Sequence, residues 1–550
     1  MLTIPGYINI TKIYESANSI VCRSQRSSDN QTVILKRLKG EYPTPEQITR
    51  YKLEYEITRN LTLEGTIRAY GLEKDQNSLV MILENFGGES LKILVNQRKI
   101  LIDEFLNIAI KVAEILGTIH QQNIIHKDIN SANILYNPTT GQVKIIDFGI
   151  STVLSRETQS FRNPNVLEGT LAYMSPEQTG RMNSAIDYRT DFYSLGVTFY
   201  ELLTNQLPFA VIDPMELVHC HIAKLPQPPC QINPEIPQII SDMVLKLMAK
   251  TAEERYQSAW GLKADLEKCL HQLQTHQNVV VFPLGEQDIS ERFQIPQKLY
   301  GRERDIETLV TAFDRISQGK SEMMLVAGYS GIGKSALVQE IYKPITEKRG
   351  YFISGKFDQF QRNIPYSGLI QAFKELIGQI LTEPAEQIAT WKEKIITSLG
   401  INAQVIIDVI PEVELIIGKQ SPVAKVGAKE SQNRFNLVFQ NFINIFTNPE
   451  HPLVIFLDDL QWVESASLKM IEMLITAPDS QYLLLILAYR NNEVSPAHPL
   501  MLTLDSLRKT GTLIQNITLG PLELATVNQL IAETLKCSSE KAGEISELVY

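Results

Sequence analysis

The sequence predicts a multidomain chain in which an α+β unit is followed by an α/β unit with a parallel sheet. Three observations carry this expectation. The 550 residues are too many for one hydrophobic core. Tyr7 to Lys39 alternates apolar and polar side chains with a break near Asn30, the period of paired strands, whereas Phe105, Ile108, Ala109, Val112, Ile115, Leu116 and Ile119 recur at helical spacing. In the second half, short apolar strands such as Leu453–Leu457 and Leu483–Ala488 alternate with helical patterns, the rhythm of a parallel sheet.

Composition narrows the class. Hydrophobic content of 44% and charged content of 21% place the chain among ordinary globular proteins. A net charge of −10 argues against nucleic acid as a partner. The five cysteines are scattered with no C-x-x-C pair, which fits a reducing compartment and no disulfide framework. His219-Cys220-His221 reads as helix, where adjacent side chains point different ways, so it is a poor metal cluster. The N-terminus has no charged-then-apolar signal pattern, and the longest apolar runs are strand-sized. The expected setting is cytoplasmic, with no membrane segment.

The stretch Ile124–Gly149 organises the first half. It places His126, Asp128 and Asn133 at the spacing H-x-D-x-x-x-x-N, with Asp147-Phe148-Gly149 one hairpin later. The strands Asn133–Tyr136 and Gln142–Ile146, joined through Pro138 and Gly141, bring Asn133 and Asp147 to one cleft. Asp128 suits the task of orienting an acceptor hydroxyl, and Asn133 and Asp147 offer oxygen ligands to magnesium. The stretch resembles the catalytic loop and magnesium motif of the eukaryotic-type protein kinases. That resemblance implies a bilobal α+β fold, ATP and Mg2+ as cofactors, and protein Ser or Thr hydroxyls as acceptors.

Other segments extend the resemblance. Val33-Ile34-Leu35-Lys36 is similar to the kinase V-A-I-K strand, making Lys36 the expected ligand of the α- and β-phosphates. In the helix expected over Lys52–Leu61, Glu54 holds the place of the glutamate that pairs with this lysine, with Glu56 as the alternative on another face. Leu79–Leu83 reads as a buried strand, and Glu84–Gly88 as the adenine-contacting hinge. Ser151–Glu168, with Ser155, Thr158, Ser160 and Pro164, reads as an activation segment. Gly169-Thr170-Leu171-Ala172-Tyr173-Met174-Ser175-Pro176-Glu177 closely resembles its end. The resemblance implies a buried ion pair of Glu177 with Arg255, and Asp191 as the group that holds the catalytic-loop backbone. Pro226–Pro237 reads as a surface loop before the closing helices.

The sequence departs from the family pattern in three places. Tyr14-Glu15-Ser16-Ala17-Asn18-Ser19-Ile20-Val21 fills all three positions of the glycine-rich phosphate loop with other residues. Lys127 stands for the arginine of H-R-D, offering a point charge without a planar fork. Asn130 stands where a lysine usually lies near the transferred phosphate, which removes transition-state charge stabilisation.

A boundary is expected at 271–297. Beyond it, Leu325–Gly328 runs into Gly328-Tyr329-Ser330-Gly331-Ile332-Gly333-Lys334-Ser335, the pattern G-x-x-x-x-G-K-S. Glycines at 328, 331 and 333 let backbone N–H groups cradle phosphates at a helix N-terminus. Lys334 is expected on the β- and γ-phosphates and Ser335 on magnesium. The strand Leu453–Leu457 ends in Asp458, expected on magnesium, and Asp459, expected to orient water; after Leu483–Ala488, Arg490 is placed to sense the γ-phosphate. Tyr300-Gly301-Arg302-Glu303, the run Asp458–Trp462 and Gly520-Pro521 resemble the STAND class of signalling ATPases within the AAA-like group. The apolar segments between Ile370 and Phe446 read as helical packing.

The expected organisation is therefore a kinase domain over 1–270, a linker over 271–297, and a STAND/AAA-like ATPase domain over 298–550 whose C-terminal part is incomplete. The whole resembles the front of the large bacterial, cyanobacterial-type sensor proteins that fuse these two modules. The first reading is a serine/threonine protein kinase coupled to an ATPase switch, acting on protein substrates, itself among them, with nucleotide-dependent self-association. The alternative is a pseudokinase module on a STAND scaffold, supported by the three departures. A small-molecule phosphotransferase is disfavoured by the Gly169–Glu177 segment.

Overall fold

The computed structural model describes residues 4–16, 19–40, 43–75, 78–153, 169–180, 185–211, 213–277, 279–289, 296, 298–359, 365–381, 383, 385–424, 426–477 and 480–550. Five antiparallel strands open the chain: β1 (Tyr7–Glu15), β2 (Ser19–Arg26), β3 (Thr32–Leu38), β4 (Ala69–Asp75) and β5 (Ser78–Glu84), ordered β1-β2-β3-β5-β4. Their alternation separates two small cores. Val33, Leu35, Val80 and Ile82 bury one face, while Leu38, Leu79 and Met81 meet Tyr51 and Tyr55 of α1 (Pro45–Asn60) on the other.

Helix α1 begins two turns before the start expected at Lys52. Its first turns are polar, so apolar spacing is silent there. The start is set by local chemistry instead: Thr44 and Gln47 form a reciprocal capping box, and Pro45 opens the helix.

The elements that follow are mostly helical. They are β6 (Glu89–Ser90), α2 (Leu91–Gln97), α3 (Ile102–Gln121), β7 (Ile124–Ile125), β8 (Ile134–Asn137), β9 (Gln142–Ile145), β10 (Thr152–Val153), α4 (Arg189–Thr204), α5 (Pro214–Ile222), α6 (Pro229–Ile232), α7 (Gln238–Leu247) and α8 (Ala259–His276). The apolar stripe of α3 lies in the core with α4, which is buried along almost its whole length. Pro226–Pro237 is not a plain surface loop. It contains α6, and Pro226, Pro229 and Ile236 are buried, because the prolines turn the chain inward against α7. The stretch 271–297 begins inside α8, and Val279, Phe282 and Leu284 then fold back onto the same core.

A second unit follows: α9 (Glu303–Ile316), β11 (Ser321–Ala327), α10 (Lys334–Gln339), α11 (Tyr342–Glu347), β12 (Tyr351–Lys356), five helices α12 (Ser367–Ile380), α13 (Ala385–Leu399), α14 (Ala403–Ile407), α15 (Glu414–Ile417) and α16 (Ala428–Asn444), then β13 (Leu453–Asp458), α17 (Ser465–Thr476), β14 (Leu483–Tyr489), α18 (Pro499–Lys509), β15 (Ile514–Thr518), α19 (Leu524–Leu535) and α20 (Ser539–Val549). The strands are all parallel in the order β12-β13-β14-β11-β15. The central strands β13 and β14 and the Met323–Ala327 part of β11 read as unbroken apolar runs because both faces are covered, whereas the edge strand β15 carries exposed Asn516 and Thr518. Met323 and Leu325 enter one core, and Met324 and Val326 enter the other. Helices α12 to α16 take up the apolar segments between Ile370 and Phe446. Among the described residues, no helix is long and apolar enough to cross a membrane.

Candidate functional site

Two sites emerge, one in each unit. In the first, the period of β3 turns Lys36 toward α1. Lys36 Nζ lies 2.6 Å from Glu54 Oε1 and 2.9 Å from Asp147 Oδ1. Glu54 is buried and Glu56 exposed, so the rotation of α1 decides between the two. Burial works to lower the Lys36 pKa, but Asp147 and Glu54 outweigh it and raise it. Burial likewise works to raise the Asp147 carboxyl, and Lys36 holds it below its ordinary value. Glu54 is pushed up, by burial first and by Asp147, against the pull of Lys36.

Asp147 adopts a left-handed backbone with φ +68, a conformation Asp tolerates better than most residues. A Cβ at Gly149 would come within 3.2 Å of Asp147 Oδ1, so glycine leaves the carboxylate its room. The β8–β9 hairpin ties Asn133 to this end: the Ile146 N–H donates to the Asn133 carbonyl at 2.9 Å.

Asp128 is oriented from both sides. Its Oδ1 accepts from the Thr170 N–H at 2.9 Å, and its Oδ2 from Asn133 Nδ2 at 3.0 Å. Asn130 braces the loop: its Oδ1 accepts from the N–H groups of Ala132 at 2.9 Å and Asn133 at 3.1 Å. Asp191 accepts from the N–H groups of His126 at 2.9 Å and Lys127 at 2.7 Å, and the Lys127 ammonium donates to the Thr152 hydroxyl.

The phosphate loop between β1 and β2 is closed by hydroxyl chemistry. The Ser16 N–H donates to the Ser19 carbonyl at 2.9 Å, and the Ser19 N–H donates to Ser16 Oγ at 3.0 Å. Ala17 and Asn18 lie outside the described residues, as do Ser155, Thr158, Ser160 and Pro164 of the expected activation segment. Glu84 ends β5, and its carboxylate is committed to Lys144 Nζ at 2.7 Å.

A buried ion pair anchors the far side of the cleft. Arg255 Nη1 and Nη2 donate to Glu177 Oε1 and Oε2 at 2.6 and 2.9 Å. Arg255 also donates to the carbonyls of Ala249 at 2.8 Å and Arg189 at 3.0 Å, so the guanidinium is well supplied with acceptors. Burial would raise the Glu177 carboxyl; the Arg255 charge and hydrogen bonds reverse this and hold it below its ordinary value.

In the second unit, β11 ends at Ala327 and α10 starts at Lys334. The loop between them needs left-handed backbone at Gly331 (φ +76) and Gly333 (φ +100), which explains glycine there. Lys334 Nζ donates to the carbonyls of Gly328 at 3.0 Å and Tyr329 at 2.9 Å. Burial lowers the Lys334 pKa against the attraction of Asp458 and Asp459. Ser335 Oγ donates to Asp458 Oδ2 at 3.0 Å. Asp459 is nearly buried and met by several side chains. Its carboxylate meets Lys356 Nζ at 3.0 Å, Arg490 Nε at 3.3 Å and Gln461 Nε2 at 2.8 Å. Arg490 is shared with Glu493 at 2.8 Å.

Comparison with known proteins accords with this geometry. Residues 7–271 match the protein kinase domain family, and residues 298–486 match the AAA ATPase domain family. The chain joins a protein kinase domain to an AAA ATPase domain. It is 33% identical over 474 residues to a hybrid signal transduction histidine kinase of Dictyostelium discoideum, covering 70% of this chain and 14% of that relative. It is 26% identical over 409 residues to histidine protein kinase 1 of Candida albicans, covering 67% of this chain and 16% of that one. A probable serine/threonine-protein kinase of Clostridium perfringens is 35% identical over 258 residues, covering 46% of this chain and 37% of the relative. The chain thus spans between about a seventh and just over a third of the length of these relatives.

Both domains imply ATP use. In the kinase domain the structure gathers Lys36, Glu54, Asp128, Asn133 and Asp147, and in the ATPase domain Lys334, Ser335, Asp458, Asp459 and Arg490. Sequence reasoning missed Thr170 as a donor to Asp128, because a backbone N–H leaves no trace in residue type. It also missed Lys356, the last residue of β12, paired in register with Asp458. A cation ending a parallel strand beside an acidic motif was the available signal.

Proposed function

We propose that the kinase domain transfers the γ-phosphoryl group of MgATP to Ser or Thr hydroxyls of protein acceptors, in the cytoplasm, and that the ATPase domain is a nucleotide-dependent switch upon it. The observation that carries this reading is the Lys36–Glu54–Asp147 cluster standing assembled beside an Asp128 held by two donors. The kinase domain is taken as 1–270 and the ATPase domain as 298–550.

Lys36, held by Glu54, binds the α- and β-phosphates. Asp128 accepts a hydrogen bond from the acceptor hydroxyl and so orients that hydroxyl oxygen's lone pair toward the γ-phosphorus. The new O–P bond forms as the bond to the bridging oxygen breaks, the hydroxyl proton passes toward Asp128, and ADP leaves. Asn133 and Asp147 fit magnesium, which takes one or two protein oxygens alongside phosphate; Ser335 and Asp458 form the corresponding pair in the ATPase domain. Bound there, the ion neutralises phosphate charge. With Asn130 bracing the loop instead of offering a cation, transfer should be slower than in a kinase with lysine there. That same feature favours the second reading, a nucleotide-binding pseudokinase on an ATPase scaffold.

The test is to follow γ-labelled phosphate into protein and into solution separately. Lys334→Ala should lower phosphate release by about 10²-fold or more, because it removes the cation on the β- and γ-phosphates, while label on Ser or Thr persists. Phosphate release lost with Lys334→Ala and no protein label even in the wild type would overturn the kinase reading.

A further inference from the structure

Neither matched domain includes residues 272–297, yet one side chain of this stretch is built into the kinase domain. Asp288 Oδ2 accepts from the Gln257 N–H at 2.7 Å, and Oδ1 accepts from the Ser258 N–H at 2.8 Å and from Ser258 Oγ at 2.9 Å. Ser258 is the N-cap of α8, with its hydroxyl accepting from the Gly261 N–H at 2.9 Å. The carboxylate is therefore a second cap laid over the first, placed where exposed N–H groups and the helix dipole favour an anion. A Cβ at Gly261 would lie 2.4 Å from Asp288 Oδ1, so only glycine there admits it.

The segment is also tied at other points. The Gly285 N–H donates to Asp265 Oδ2 at 2.8 Å, the same oxygen that accepts from the Tyr256 hydroxyl at 2.7 Å. Lys268 Nζ sits 4.1 Å from the centre of the Phe282 ring. These contacts close around residues 256–258 and leave Asp288 little freedom.

The held residues lead directly to the catalytic platform. Arg255 grips Glu177 in the segment that also supplies Thr170 to Asp128. Gln257 Oε1 accepts from Arg189 Nη1 at 3.0 Å, and the Gln257 carbonyl accepts from the Tyr188 hydroxyl at 2.8 Å. Asp191, in the first turn of the same α4, carries the backbone of His126 and Lys127. A plain helix cap would end its influence in the first turn of α8. Here one capped residue, Gln257, holds the start of α4, and the capped pair lies two and three residues after Arg255, which holds Glu177.

We propose that Asp288, supplied from between the two domains, is a positioning residue for phosphoryl transfer, acting through Gln257 and Ser258 on the Glu177–Arg255 anchor. The kinetic part rests on the kinase activity proposed above. The experiment uses the full chain as wild type, Asp288→Ala and Asp288→Asn, with phosphate release by the ATPase domain as an internal control. Asp288→Ala should lower kcat for protein phosphorylation about tenfold and leave the KM for ATP within about twofold, because Lys36, Glu54 and Asp147 lie elsewhere. Asp288→Asn should recover part of the loss, since its one oxygen still accepts. Amide hydrogen exchange is measured in parallel. Protection should fall at 169–180 and 126–128 as well as at 257–261. A kcat for Asp288→Ala within about twofold of wild type, or lost protection confined to 257–261, overturns the proposal. If Asp288→Ala does not fold, the Asn variant carries both comparisons. If the wild type transfers no phosphoryl group, the kinase reading falls, and the exchange pattern alone decides the positioning role.

Discussion

Asp128→Asn is expected to lower phosphoryl transfer to protein by about 10²–10⁴-fold while leaving MgATP affinity within about twofold. The asymmetry follows from the geometry. In the proposed mechanism nucleotide contacts fall to Lys36 and the Asn133–Asp147 pair, whereas Asp128, turned toward Thr170 and Asn133, is proposed to serve the acceptor. Asparagine is nearly isosteric with aspartate. Its one oxygen can still accept from one of the two donors, but its NH2 group faces the other, and it is far less basic toward a hydroxyl proton. The measurement is kcat with a generic acceptor protein, beside nucleotide binding followed by fluorescence. Transfer at the wild-type rate would remove Asp128 from the mechanism.

Arg255→Ala should destabilise the kinase domain by about 3–5 kcal/mol, because it strands the Glu177 carboxylate in a site almost closed to water. For a domain of this size that is a fall of about 10 °C in its melting transition, with the ATPase transition unmoved. Replacing both partners with apolar residues of similar volume should cost markedly less, since no charge is then left buried. The same pair sets an acid limit. Glu177 has a folded pKa below its ordinary 4.5, so the folded state binds fewer protons than the unfolded one. Its contribution is complete above about pH 4.5 and is lost as pH falls through the folded value. Thermal melts at descending pH check this. An Arg255→Ala variant should lose that part of the acid sensitivity, and a melting temperature within about 2 °C of wild type would refute the buried-pair account.

Much of the architecture was legible because it rests on local spacing. The alternation leading through β3, the unbroken apolar run of β5 and the stripe of α3 follow from which side chains must leave water. So do the unbroken apolar strands of the second domain, which need cover on both faces. The reactive residue types at their intervals, from Asp128 to Asp147 and from Gly328 to Ser335, are visible in the chain as written. Where periodicity was silent, as in the polar opening of α1, the expected start at Lys52 fell short of the Thr44–Gln47 cap that sets it.

Sequence alone thus determined the two-unit fold class, the main strands and helices around each motif, the two phosphate-handling motifs and the candidate reactive groups. Only the tertiary structure decided which groups share a charge. Lys36 and Asp147 are 111 residues apart, and Ser335 and Asp458 are 123 apart, with β14 lying between their strands. The choice of Glu54 over Glu56, the commitment of Glu84 to Lys144 and the closure of Lys356 and Arg490 on Asp459 have the same origin, as does the seating of Asp288 on α8. The reason is physical. A side chain's partners are set by which surfaces pack together in three dimensions, and in that water-poor interior each buried charge must find its counter-charge or donor wherever the fold brings one.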